Sequence, residues 1–136
     1  MNRRDLHAFI VQHRLGVVSS IGPDGAPQSA LVGIAASTDI EIVFDTTTST
    51  RKYANLVARP RCSVVVGWTG EQTVQLEGVA EELVGSELER LRAVYFEAWP
   101  DGPSRLKWPG ITHFVIRPTW IRYSDFAQDP AVIVEL

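Results

Sequence analysis

Apolar and polar positions alternate with a period of two along much of the chain, and stretches of helical spacing interrupt that alternation. Leu6, Phe9 and Ile10 share one face of a first helix that Asn2 caps and that ends near Arg14, ahead of Gly16. Leu15 to Ile21 reads as a strand, and Gly22-Pro23-Asp24-Gly25 as a turn. Pro27 to Ala36 continues as a second strand, with Pro27 tolerable only at its start because it has no N–H for a ladder. Ser37-Thr38-Asp39 then turns the chain into Ile40 to Asp45, whose alternating Ile40, Ile42 and Phe44 suit a half-buried strand. Turns this short predict an antiparallel meander.

Beyond Asp45 the pattern changes. Five hydroxyl residues, Thr46 to Thr50, precede a short helix from Arg51 to Ala58 that Pro60 stops. Arg61 to Trp68 is a valine-rich strand, and Thr69-Gly70 turns it into a long strand, Gln72 to Val84, bent at Gly78. Ser86 to Trp99 is helical: Leu88, Leu91, Tyr95 and Trp99 recur at its period, with Glu87, Glu89, Arg90 and Arg92 on its surface. Pro100 to Pro109 reads as loop, and His113 to Arg117 and Trp120 to Phe126 as two last strands divided by Pro118. The tail, Ala127 to Leu136, fits either a surface loop or a paired segment. The chain is therefore mainly β with short helices. Six to seven antiparallel strands close, or nearly close, into a barrel that hides their edges. Residues 1–136 form a single domain without repeat or linker.

Composition narrows the function. With 45% hydrophobic residues in 136, there is enough for one sizeable core and not for two. A net charge of -3 argues against a dedicated nucleic-acid binder. No apolar run is long enough to span a membrane, and Met1 to Asp5 leads into no secretory apolar stretch. One cysteine, Cys62, excludes an internal disulfide, and its strand position suits an inert thiol. These features predict a soluble cytoplasmic protein. His7, His13 and His113 have no metal-ligand spacing, so no metal site is expected. Glu81, Glu82, Glu87 and Glu89 read as a solvated face. Trp68 and Trp120 suit core or dimer packing, while Trp99 and Trp108 suit a pocket rim or an interface.

The hydroxyl run before Arg51-Lys52 is the stretch richest in chemistry. A phosphate needs several hydrogen-bond donors and positive charge, which hydroxyls, free amides at a helix start, Arg and Lys together supply. The same residues also suit an ordinary loop and helix cap with solvated basic groups. Spacing alone does not separate the two.

Several pieces in order resemble the pyridoxamine 5'-phosphate oxidase-like, FMN-binding split-barrel family. They are Gly16 to Ser20, then Asp24-Gly25-x-Pro27-Gln28, then Thr50-Arg51-Lys52-x-x-Asn55-Leu56-x-x-x-Pro60-Arg61-Cys62 behind the strand Ile42-Val43-Phe44, then Gln75 to Ala80. The likeness runs over about residues 5 to 125. It implies a Greek-key-like split barrel and a homodimer with FMN at the subunit interface. Arg51 and Lys52 would hold the FMN phosphate with Thr50. Asp45 and Thr46 would lie along the flavin and its ribityl chain, and Ser29, Ala30, Leu31 and Val32 beside the isoalloxazine edge. Gln72 or Thr73 would reach the cofactor from the partner subunit.

The sequence also departs from the family's oxidases. Ala30 stands where they carry a cofactor-contacting Arg, and no Arg-x-His substrate motif follows Pro118. The resemblance therefore implies an FMN-dependent oxidoreductase of unidentified substrate, with no catalytic side chain assigned. A reductase using a deazaflavin coenzyme, and a non-catalytic module holding flavin or haem, remain open on the same fold.

Overall fold

The computed structural model describes residues 1–136. Helix α1 (Arg3–His13) begins in a capping box: the Asn2 side chain accepts from the Asp5 amide at 2.8 Å, and the Asp5 carboxylate accepts from the Asn2 amide at 3.2 Å. Its buried face is Leu6, Phe9 and Ile10. Arg14, in the left-handed region at φ 62°, ends the helix and turns the chain into β1 (Leu15–Ile21).

The remaining strands are β2 (Pro27–Gly33), β3 (Ala35–Ala36), β4 (Ile42–Thr47), β5 (Arg61–Val66), β6 (Gln72–Glu82), β7 (Ile111–Asp125) and β8 (Val132–Glu135). They form one antiparallel sheet in the order β2-β1-β5-β6-β7-β4-β3, with β8 added on β7. Helix α2 (Arg51–Ala58) follows β4, and α3 (Gly85–Ala98) follows β6. The two ends of the sheet, β2 and β3, are separated in the chain by Ile34 alone, so the sheet must curl back on itself. The result is a split β-barrel.

Two cores share β4 and β7. Ile42, Phe44, Phe114 and Ile116 point into the barrel with Val18, Val64, Val66 and Leu76. Val43 and Val115 point the other way, against Leu83, Leu91 and Tyr95 around α3. Strands buried on both faces lose the alternation of a half-buried strand.

The fold differs from the sequence reading at several points. The strand expected over 27–36 breaks at Ile34, whose amide bonds to the Arg14 carbonyl at 2.8 Å. Its first part then pairs with β1 and its last part with β4, so the meander is replaced by two hairpins at opposite ends of the sheet. Ile40 sits at φ 61° in the turn, which delays β4 to Ile42. The two last strands are one, since β7 runs through Pro118. Pro118 costs little there because the β6–β7 register shifts between Glu77 and Gly78. Gly78 makes room for the bulge: a Cβ at that position would stand 2.5 Å from the Arg117 carbonyl oxygen. The tail pairs as β8, raising the strand count to eight, and 100–109 contains a 3-10 helix, Gly102–Lys107. Of the four tryptophans, Trp99 packs half-buried against the second core, while Trp68 and Trp108 are more than half exposed, at 55% and 51%. No helix is long and apolar enough to cross a membrane.

Candidate functional site

The hydroxyl run folds into a loop that ties itself down before the first turn of α2. Thr50 caps the helix: its Oγ1 accepts from the Tyr53 amide at 3.3 Å and donates to the Thr47 carbonyl at 3.0 Å. The single Thr50 proton being used there, the buried Thr46 hydroxyl is the donor in its 2.9 Å bond to Thr50. Thr47 and Ser49 hydroxyls pair at 3.0 Å. Most of the run is therefore structural. Its product is a rigid helix start that presents Thr50, Arg51 and Lys52 to one side.

That side is a cavity of about 300 Å³ between the start of α2 and strands β1 and β2. Val18, Ser20, Gln28, Ser29 and Ala30 line the wall facing Thr50, Arg51 and Lys52. Neither cation is engaged in an ion pair, and no carboxylate, histidine or cysteine is in the lining. Partial burial pushes the Lys52 pKa down, opposed by the negative charge of Asp45. Such a lining suits an anion through its donors and charge.

Asn55 holds the two walls at their spacing. From the next turn of α2 its Nδ2 donates to Ser20 Oγ at 3.1 Å and to Gln28 Oε1 at 2.9 Å. Asn55 and Ser20 are each 2% exposed, so water cannot take over these bonds. Below the same helix, Glu82 accepts from Tyr53 Oη at 3.1 Å and from the Thr112 hydroxyl at 2.6 Å. Glu82 is thus a structural acceptor rather than part of a solvated face.

Of the residues singled out from the sequence, Ser29, Ala30, Thr50, Arg51 and Lys52 meet at the cavity, with Thr46 behind them as a support. Leu31 is 61% exposed and does not line the cavity, and Val32 is buried in the barrel core. Asp45 faces the second core, where Arg105 Nε donates to its Oδ2 at 2.7 Å while also bonding Asp101 and Tyr95. Gln72 and Thr73 sit at the opposite end of β6, paired with Asp125 and Ser124, and do not line the cavity of their own chain. Sequence reasoning assigns no role to Val18, Ser20, Gln28 or Asn55, although all four lie inside the stretches that carry the resemblance. Burial pushes the Cys62 thiol up to about 11, which keeps it protonated and unreactive.

Comparison with known proteins places this arrangement. A curated pyridoxine/pyridoxamine 5'-phosphate oxidase of Nocardioides sp. (strain ATCC BAA-499 / JS614) is 34% identical over 96 residues, covering 66% of this chain and 45% of its own. The chain therefore spans less than half the length of that relative. A heme binding protein from Mycobacterium smegmatis superposes with a TM-score of 0.84 at 18% identity, over 98% of this chain and 57% of its own. A pyridoxamine 5'-phosphate oxidase-related, FMN binding protein from Nostoc punctiforme superposes with a TM-score of 0.71 at 11% identity, over 96% and 84%. These two likenesses carry the fold alone. The family model described as pyridoxamine 5'-phosphate oxidase matches residues 3–125, and the chain belongs to that family.

Proposed function

We propose that the Thr50–Lys52 cavity takes the phosphate end of FMN, and that a homodimer of the chain works as an FMN-dependent oxidoreductase on a small molecule. The observation carrying this reading is the meeting of two unpaired cations and a helix-capping hydroxyl with the polar wall of β1 and β2. A phosphate dianion suits this donor set: Arg51 offers a planar fork, Lys52 a point charge, and the start of α2 its free amides. The negative charge would also favour the protonated form of the half-buried Lys52. FMN bound there supplies hydride and electron transfer. The chain's own residues bind and orient it, with Asn55 fixing the distance between the walls.

The dimer reading draws on the outer face of the sheet. Leu31 and Val65, 61% and 37% exposed, both stand opposite Val17 in the strand register. In this reading a second copy covering this apolar row brings its Gln72 or Thr73 toward the cofactor, which fits their absence from the cavity lining of their own chain. The substrate of the longer oxidases is not part of this proposal: Ala30 puts no charge into the wall where the resemblance leads one to expect an Arg.

Parallel titrations of the purified chain with FMN, a deazaflavin coenzyme and haemin test this reading. FMN should bind tightest and the loaded protein should be yellow. Reduction by NADH or NADPH followed by reoxidation with candidate acceptors then tests turnover. Protein that refuses FMN, or takes haemin more tightly, would overturn the flavin assignment. Tight FMN without any turnover would leave a flavin-binding module.

A further inference from the structure

A second cleft, of about 310 Å³, opens on the far side of β4 and β7 from the Thr50–Lys52 cavity. Its apolar walls are Leu83, Leu88, Leu106 and Ile111, and its polar residues are Arg92, Thr112 and His113. Two features set it apart from a surface groove. The His113 side chain is 3% exposed, and its Nε2 is buried without a hydrogen-bond partner, a rare state for a native polar group. Arg92, read from the helical period as a surface residue, is half-buried in the wall and engaged in no ion pair.

The nearby acids are already committed. Asp45 is paired with Arg105, the Glu82 carboxylate accepts from the Tyr53 and Thr112 hydroxyls, and neither acid forms an ion pair with Arg92. Thr112 spends its hydroxyl proton on Glu82, which leaves Arg92 and the imidazole as the donors available to a guest. The rings of Tyr95 and Phe96 stand edge-on to His113 at 5.7 and 5.9 Å and close the wall behind it. An unpaired guanidinium selects an anion and fits a planar two-oxygen head, whereas four aliphatic side chains disfavour a fully hydrated anion such as phosphate.

We propose that this cleft is a binding site for a small monocarboxylate with an apolar body, the carboxylate on Arg92 and the body against the leucine and isoleucine walls. The His113 imidazole supplies the second hydrogen-bonding contact to the head. A dry cavity of about 150 Å³ already accepts benzene, so a benzoate-sized guest is within the capacity of this one. The site lies apart from the FMN cavity and stands whether or not that assignment holds.

The test is titration of the full chain with benzoate, followed by amide NMR and calorimetry, with benzamide and inorganic phosphate as controls. Saturable shifts should centre on Arg92, Thr112 and His113, and benzamide and phosphate should each bind about tenfold more weakly or worse. Arg92→Gln should lower benzoate affinity about tenfold or more. Leu106→Trp, at a 41% exposed position and therefore tolerated by the fold, should block the site by filling it. No saturable shift at these residues, benzamide binding as well as benzoate, or an unchanged affinity in Arg92→Gln would each overturn the proposal.

Discussion

Replacing Asn55 by Ala isolates the contact that couples the two walls of the Thr50–Lys52 cavity. The substitution removes both amide bonds, the 3.1 Å one to Ser20 and the 2.9 Å one to Gln28. Gln28 is half-buried and can turn its amide toward water, whereas Ser20, at 2% exposure, has far less access to a replacement donor. One lost hydrogen bond costs about 1 kcal/mol and one buried unsatisfied group a further 1–3, so the sum is about 2–4 kcal/mol. For a chain of this length that is a drop in Tm of about 10 °C. Urea unfolding of the cofactor-free protein measures it directly. Asn55→Leu, which keeps the volume, should lose nearly as much and thereby separates the polar cost from any void. Because Asn55 does not line the cavity, weaker FMN binding in the folded Asn55→Ala protein would report the loosened wall. A stability loss below about 0.5 kcal/mol would refute the coupling.

Other consequences are equally open to measurement. Gly78→Ala forces a Cβ onto the Arg117 carbonyl and should cost about 2 kcal/mol or more in urea unfolding, while a neutral result would mean that β7 can shift freely at its bulge. Burial holds the His113 pKa below its unfolded value of 6.5, so the unfolded chain takes up that proton first as pH falls. The stability from neutral His113 is therefore fully present above about pH 6.5 and is lost below it, and the wild-type advantage over His113→Gln should shrink as pH is lowered to about 5. A pH-independent difference would contradict the burial argument. With its thiol pushed up to about 11, Cys62 should react with a disulfide reagent far more slowly in native than in denatured protein at neutral pH, and equal rates would refute this.

Most of the barrel is legible in the sequence because its signals are local. The Asn2 cap, the Gly22–Gly25 turn, the Pro60 stop and the alternation in Gln72 to Glu82 each act within a few residues. What escapes is decided between distant segments. Pro118 reads as a strand break because its compensation, Gly78 and the register shift, lies forty residues earlier. The break at Ile34 depends on the Arg14 carbonyl, and β8 on an edge of β7 left free beyond β4. The same holds at the site. Arg51 and Lys52 announce themselves by charge, but Ser20 and Gln28 become wall residues only because Asn55 draws α2 onto β1 and β2. Asp45, adjacent in sequence to the hydroxyl run, faces away because a strand alternates, and Arg105 meets it from the other side. Arg92 and His113 come together only when α3 folds over β7.

Whether Arg51 and Lys52 hold a phosphate is settled most directly by comparing FMN with riboflavin, which lacks it, on the wild type and on the Arg51→Ala, Lys52→Ala double variant. Two charge-assisted contacts are together worth on the order of 3 kcal/mol, or about 100-fold in Kd. FMN should outbind riboflavin by about that factor on the wild type, and the preference should collapse toward unity on the double variant while riboflavin binding stays the same. An FMN preference that survives the loss of both side chains would place the phosphate elsewhere on the barrel.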